Sequence, residues 1–212
     1  MKLTVFGASG RIGGEIMRQG AAAGHDMTAV VRSGSAVTDL PTDARVIAVD
    51  AIDTPDQLAP AVDGRDAVLS GLGPRARRDA GITTPMTRSI LGAMDRADVR
   101  RILAVSAAPV GRPHPKDRLF TKRVVWPLLK GMLRPLYADL RDMEEALARI
   151  DTEWTAIRPP RLVNRDVTGR YRTAIDENIS HGTTISRADV AHAMLAMIND
   201  PMTYRRAVGV AW

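Results

Sequence analysis

Between Lys2 and Met17 the chain reads KLTVFGASGRIGGEIM: a short strand-forming run, glycines at positions 7, 10 and 13, then Ile12, Ile16 and Met17 at helical spacing. This run constrains the fold most, because a strand that turns at glycine straight into a helix leaves the helix N-terminus at the end of the strand. Gly7 suits the tight turn, Gly10 removes a side chain from the exposed backbone, and Gly13, one turn into the helix, lets helix and sheet pack closely. Free N–H groups and the helix dipole near Ser9, Gly10, Arg11 and Ile12 attract negative charge. The strand before and the helix after are what separate a dinucleotide-binding turn from an ordinary bend in a chain with 17 glycines.

The pattern continues as strand and helix in alternation. Strands are expected at Leu3 to Phe6, Met27 to Val31, Val46 to Val49, Ala67 to Gly71 and Arg101 to Ser106, with helices at Arg11 to Ala23, Pro55 to Val62 and Pro85 to Arg96. Such alternation predicts an α/β fold, a Rossmann-type doubly wound parallel sheet with helices on both faces. Thr54-Pro55-Asp56-Gln57 reads as a capping box, Thr84-Pro85 repeats the device, and Ser186 with Asp189 predicts a helix start before Val190 to Ile198. Beyond Ala108 the stretch Leu119 to Leu136, interrupted by Pro127, Gly131 and Pro135, reads as broken helix. After it come a helix at Tyr137 to Ile150, a strand at Trp154 to Ile157, a loop at Arg158 to Val167, and strands near Tyr171 to Ile175 and Val208 to Ala211. At 212 residues the expectation is a single domain, 1–212, with a small C-terminal substrate portion.

The chain has no cysteine, which excludes disulfides and thiolate chemistry and fits a reducing cytoplasm. No signal peptide or membrane-spanning run is visible, and none of the four histidines has a second ligand at metal spacing. The net charge of +6 comes in small groups: Arg11, Arg32, Arg75 with Arg77 and Arg78, and Lys122 with Arg123. Without interleaved aromatics, these favour a phosphorylated small molecule over nucleic acid.

In open parallel sheets ligands collect beyond the carboxyl ends of the strands. At the end of the second strand, where an NAD-preferring site places an acidic residue, stands Arg32, and no carboxylate follows until Asp39. A guanidinium there, helped by Arg11, holds a 2′-phosphate, so NADP is favoured over NAD; otherwise Arg32 ends an exposed strand. Asp50 and the adjacent Ala51 backbone follow the third strand, placed either to meet an adenine edge or simply to lead into the next helix.

Taken together, GASGRIGG, Arg32 after VV, Asp50, GLGPR, LAVSAAP, YADLRDMEE and WTAIRPPRL resemble the atypical short-chain dehydrogenase/reductases. Among these, the likeness is greatest to the small NAD(P)H-binding proteins grouped with flavin reductase/biliverdin reductase B and the NmrA-like proteins, and it covers essentially the whole chain. The resemblance implies that Gly7, Ser9, Gly10, Arg11, Ile12 and Gly13 surround the pyrophosphate and that Arg32 meets the 2′-phosphate. Asp50 and Ala51 would flank adenine, and Gly71, Leu72 and Gly73 the adenosine ribose. It also implies that Ser106 lies next to the nicotinamide as a catalytic hydroxyl, and that Arg158 belongs to a loop closing over it. Tyr137 and Arg141 resemble the superfamily's Tyr-x-x-x-Lys pair with arginine for lysine, a departure that bears on catalysis by Tyr137, since arginine keeps the charge but not the compact ammonium. Without that role the helix is simply amphipathic, with Tyr137, Leu140 and Met143 near the sheet and Asp139, Arg141 and Asp142 solvated.

Two functions follow from the resemblance. One is an NADPH-dependent oxidoreductase that reduces a small conjugated acceptor: a flavin, quinone, tetrapyrrole or enone. The other is a non-catalytic NADP(H)-sensing regulator with a protein partner. Leu119 to Leu136, with Trp126 and Met132, would serve as a lid or wall for an apolar substrate or as the regulator's contact surface, or else form a buried helix pair or a dimer face. A sugar-nucleotide epimerase is disfavoured by the short C-terminal portion.

Overall fold

The computed structural model describes residues 1–35, 40–74, 79–112, 114 and 134–212. Asp39, Arg75, Arg77, Arg78, Lys122, Arg123, Trp126, Met132 and the span 119–133 of the expected broken helix lie outside the described residues.

The strand expected at the N-terminus is β1 (Lys2–Phe6), and α1 (Arg11–Ala22) carries the chain back to β2 (Asp26–Arg32). Then follow β3 (Arg45–Val49), α2 (Pro55–Val62), β4 (Ala67–Ser70), α3 (Thr83–Arg96), β5 (Arg101–Val105), α4 (Arg134–Ala148) and β6 (Glu153–Arg158). The chain ends with β7 (Arg161–Val163), β8 (Arg172–Ile175), β9 (Thr184–Ser186), α5 (Arg187–Ala196) and β10 (Arg206–Ala211). One eight-stranded sheet runs in the order β3-β2-β1-β4-β5-β6-β10-β8, parallel except for the antiparallel edge strand β8. The first six places give the Rossmann order 3-2-1-4-5-6.

Alternation along the strands divides the core into two layers. Leu3, Val5, Leu69, Leu103 and Ile157 pack on Ile16 and Met17 of α1 and on Val190 and Met194 of α5. Phe6, Val68 and Ile102 face Leu58 of α2, Ile90 and Met94 of α3, and Leu140, Met143 and Leu147 of α4.

Several local expectations are corrected. The Thr54 hydroxyl makes no cap bond, although α2 starts on Pro55 at its first position as expected, where the missing N–H costs nothing. Thr84 is not a cap either: α3 begins at Thr83, and the cap comes from another helix. Asp139 of α4, expected to be solvated, is 5% exposed, and its carboxylate accepts from the N–H groups of Thr83 at 2.9 Å and Thr84 at 3.0 Å. In return the Thr84 hydroxyl donates to the Asp139 carbonyl at 2.7 Å. Pro135 lies in the first turn of α4 and does not interrupt it. The expected loop after β6 contains β7, which pairs with β9 in a parallel two-stranded sheet that the short runs gave no means to foresee.

The Ser186 cap forms as expected, accepting from the Asp189 N–H at 2.9 Å. Fully buried Asp189 also accepts from the Thr168 and Gly169 N–H groups, the Thr168 hydroxyl and the Trp212 indole, all at 2.8 to 2.9 Å. One carboxylate thus fixes the 168–169 turn and the C-terminal residue against α5.

Burial raises the pKa of both carboxyls, but the converging hydrogen bonds outweigh it and hold each below the ordinary aspartate value. A carboxyl whose pKa is lowered by folding contributes stability above its unfolded value of about 4 and loses that contribution as the pH falls through the folded value. Denaturant titrations between pH 7 and pH 3 should therefore show wild-type stability falling below about pH 4, with a shallower fall in Asp139→Asn and Asp189→Asn. At pH 7 each substitution should cost about 1–3 kcal/mol.

Candidate functional site

Strand register brings the singled-out residues to one edge. Phe6 pairs with Val30 and with Ser70, Ser70 with Ala104, Val105 with Ile157, and Arg32 with Val49. The carboxyl ends therefore present, in spatial order, Asp50 and Ala51 after β3, Arg32 ending β2, the Gly7 to Gly13 turn after β1, and Gly71, Leu72 and Gly73 after β4. Ser106 after β5 and Arg158 ending β6 complete the row. Arg32 and Asp50 are exposed and neighbouring, at the end of the row farthest from Ser106.

At the centre the backbone closes on itself. Gly7 has φ +74°, a conformation that favours glycine, and its carbonyl accepts from the Gly10 N–H at 2.8 Å. A Cβ on Gly13 would stand 2.1 Å from the Gly7 carbonyl oxygen, and one on Gly71 would stand 3.0 Å from the Gly13 nitrogen. Gly10 caps α1 with no side-chain hydrogen bond, and the first turn holds no acidic residue. Among the described residues, no side chain caps the first N–H groups of α1, which suits them to an external acceptor.

Arg11 lines a cleft of about 440 Å³ together with Glu15, Asn164, Arg165, Asp166, Arg187 and Ala188. Arg165 and Arg187 were not singled out in the sequence, because they lie more than 150 residues from Arg11. Among the described residues, none of the three arginines is ion-paired with a carboxylate, while Glu15 is taken by Arg18. Burial first, and then the charge of Arg11, lowers the Arg187 pKa below its ordinary value. An uncapped helix start beside guanidiniums that repel one another is complementary to a phosphorylated ligand.

At the other end, Ser106 is 5% exposed and its Oγ donates to Glu144 Oε1 at 2.5 Å. The Glu144 carboxylate grips Arg158 through Nε at 3.0 Å and Nη2 at 2.5 Å. The Arg158 side chain, expected over the cofactor, thus spends two of its three nitrogens on α4. Glu144 was missed in the sequence, although it lies two turns beyond Tyr137 on the same helix. Tyr137 is half-buried and burial raises its phenol pKa; Arg141, the counterpart of the superfamily lysine, is exposed.

Among the described residues, no helix is long and apolar enough to cross a membrane, and no group of three or more His, Asp or Glu is placed to hold a metal.

Residues 7–201 match the family described as NAD(P)H-binding. The chain belongs to that family. It is 26% identical over 208 residues to the uncharacterized protein YwnB of Bacillus subtilis, covering 95% of this chain and 93% of the relative. Among solved structures, an exported-protein candidate from Burkholderia pseudomallei superposes with a TM-score of 0.81 at 26% identity over the whole of both chains. A candidate NADH-flavin reductase from Streptococcus pneumoniae gives 0.80 at 22% identity, covering 100% of this chain and 99% of that one. A short-chain dehydrogenase/reductase from Veillonella parvula in complex with NADP gives 0.79 at 20%, covering 100% and 94%. These likenesses establish the Rossmann fold.

Two adjacent glycines separate packing from propensity. Gly13→Ala should lower stability by about 3 kcal/mol or more and abolish dinucleotide binding, because its methyl meets backbone. At Gly14 a Cβ would meet only the Ala8 carbonyl oxygen at 3.7 Å, an ordinary contact. Gly14→Ala should therefore be neutral or stabilising by up to about 1 kcal/mol. Thermal melts with and without NADP+ check both.

Proposed function

We propose that the protein is an NADPH-dependent reductase of a small conjugated acceptor: a flavin, quinone, tetrapyrrole or enone. The observation that carries this reading is a guanidinium, that of Arg32, at the exposed end of β2 beside Asp50, in the same row as the uncapped start of α1. In this reading Arg32 grips the 2′-phosphate, and Asp50 and Ala51 flank the adenine. Gly7, Ser9, Gly10, Arg11, Ile12 and Gly13 hold the pyrophosphate, and Gly71, Leu72 and Gly73 line the adenosine ribose. Ser106 stands next to the nicotinamide, and the loop that begins at Arg158 closes that end. Bound there, NADPH supplies the hydride.

In this reading the protein's own contribution is orientation and exclusion of water, and neither of the two hydroxyls assigned to the reacting end is a ready proton donor. The phenol of Tyr137 is raised by burial, and the Ser106 proton is directed at Glu144. Acceptors that take their proton from solvent, as flavins do, suit this arrangement.

The same two features also support the second reading, a non-catalytic sensor of NADP(H), and one assay separates the two. NADPH oxidation is followed across the four acceptor classes beside Arg32→Ala. Turnover on one acceptor, with KM for NADPH raised about 10- to 100-fold in the variant and NADH use unchanged, is the expected result. Binding of NADPH without turnover on any acceptor would establish the sensor. A further check is Tyr137→Phe, which should leave kcat for a flavin within about threefold of wild type, because no proton from the phenol is needed.

A further inference from the structure

The polarity of the hydrogen bonds at Ser106 selects what binds beside it. A serine hydroxyl has one proton and two lone pairs. At Ser106 the proton is committed: Oγ donates to Glu144 Oε1 at 2.5 Å. The direction is fixed from behind, because the same carboxylate receives two guanidinium N–H groups from Arg158, and a carboxylate so held only accepts. Glu144 and Arg158 are themselves sheltered, with side-chain exposures of 11% and 16%. The arrangement is braced on both sides. The Ser106 N–H donates to the Ile157 carbonyl at 2.7 Å and the Ala108 N–H to the Pro159 carbonyl at 2.8 Å. Asn178 Nδ2 donates to the carbonyls of Ala108 at 3.0 Å and Arg112 at 2.7 Å. Neither the hydroxyl nor the segment carrying it is free to turn its proton toward a ligand.

We propose that Glu144 is a positioning residue that presents Ser106 to the ligand as a hydrogen-bond acceptor only, so that the site beyond β5 selects a group bearing a carbonyl-flanked N–H. Two sources carry that chemistry: the primary amide of the nicotinamide ring, or the imide or lactam N–H of an acceptor such as a flavin or a linear tetrapyrrole. Quinones and simple enones offer only carbonyl oxygens, which face lone pairs at Ser106. The inference rests on the cofactor placement of the proposed function, but not on turnover.

The test is a set of binding titrations, with two ligand pairs that differ only in the N–H. NADP+ is compared with its 3-acetylpyridine analogue, in which a methyl ketone replaces the amide. Lumiflavin is compared with 3-methyl-lumiflavin in the presence of NADP+. Each pair is measured on wild type, Ser106→Ala and Glu144→Gln. The expected result is a preference of about tenfold for the N–H-bearing member of one pair in wild type. That preference should fall toward one in Ser106→Ala and fall or invert in Glu144→Gln, the change lying in the ratio of the two members' affinities. A merely structural loss would weaken both members alike. Preference in the first pair assigns Ser106 to the cofactor amide, and preference in the second assigns it to the acceptor.

No preference in either pair overturns the proposal, as does a preference that survives in Ser106→Ala or in Glu144→Gln. If the lone Arg158 charge unfolds Glu144→Gln, the double substitution Glu144→Gln with Arg158→Leu removes both charges together and is read in the same way. The N–H preference without turnover would leave this inference standing while the reductase reading falls. Turnover without the preference would do the reverse.

Discussion

Everything at the carboxyl edge of the sheet depends on one close contact between backbones. Helix α1 approaches the end of β1 so nearly that no side chain fits at Gly13, and the end of β4 closes on the same point at Gly71. That approach sets the tilt of α1, and with it the direction of the unpaired N–H groups at its start. It also places Arg11 over the cleft shared with Arg165 and Arg187. A chain with alanine at this point would have to move the helix outward and lose the register between the anion-attracting helix start and the strands on either side.

Around this contact the two ends of the row are built differently. Toward Arg32 and Asp50 the residues are exposed, and their side chains remain available to a ligand. Toward Ser106 and Arg158 the polar groups are sheltered, Ser106 buried and Glu144 and Arg158 partly so, and they are bonded to one another through a carboxylate on α4 that holds both. The first arrangement suits recognition of a charged, solvated group, and the second fixes a pattern of donors and acceptors. Buried carboxylates recur as fasteners elsewhere: Asp139 joins α4 to α3, and Asp189 joins the C-terminus and the 168–169 turn to α5. In each case several N–H donors converge, and that is what makes a buried charge tolerable.

Buried Arg101 solves the same problem with the opposite charge. Its guanidinium donates to the carbonyls of Met197, Ile198 and Glu153 and to the hydroxyls of Thr155 and Thr203, and stands over the Tyr204 ring at 4.5 Å. Burial pulls its pKa down to about 10. In the sequence it stood only as the first residue of a strand, since its oxygen partners are backbone groups and threonines some 50 to 100 positions away.

The N-terminal turn, the β/α alternation and the carboxyl-end row of Arg32, Asp50, Gly71 and Ser106 were legible because each follows from local pattern. A strand alternates with period two, a helix start needs a turn, and parallel sheets collect their loops at one edge. The pairing of β7 with β9, the capping of α3 by Asp139 and the joining of Ser106 to Arg158 through Glu144 were not. Each consists of short or polar residues whose partners are distant in the chain, so no spacing announces them; Asp139 read as part of a solvated helix face. The sequence by itself determined that this chain makes a dinucleotide-type turn on a parallel sheet. Only the tertiary structure decided which of its polar groups remain open to a ligand and which are consumed in holding the others, because hydrogen-bond satisfaction depends on what the fold brings within 3 Å.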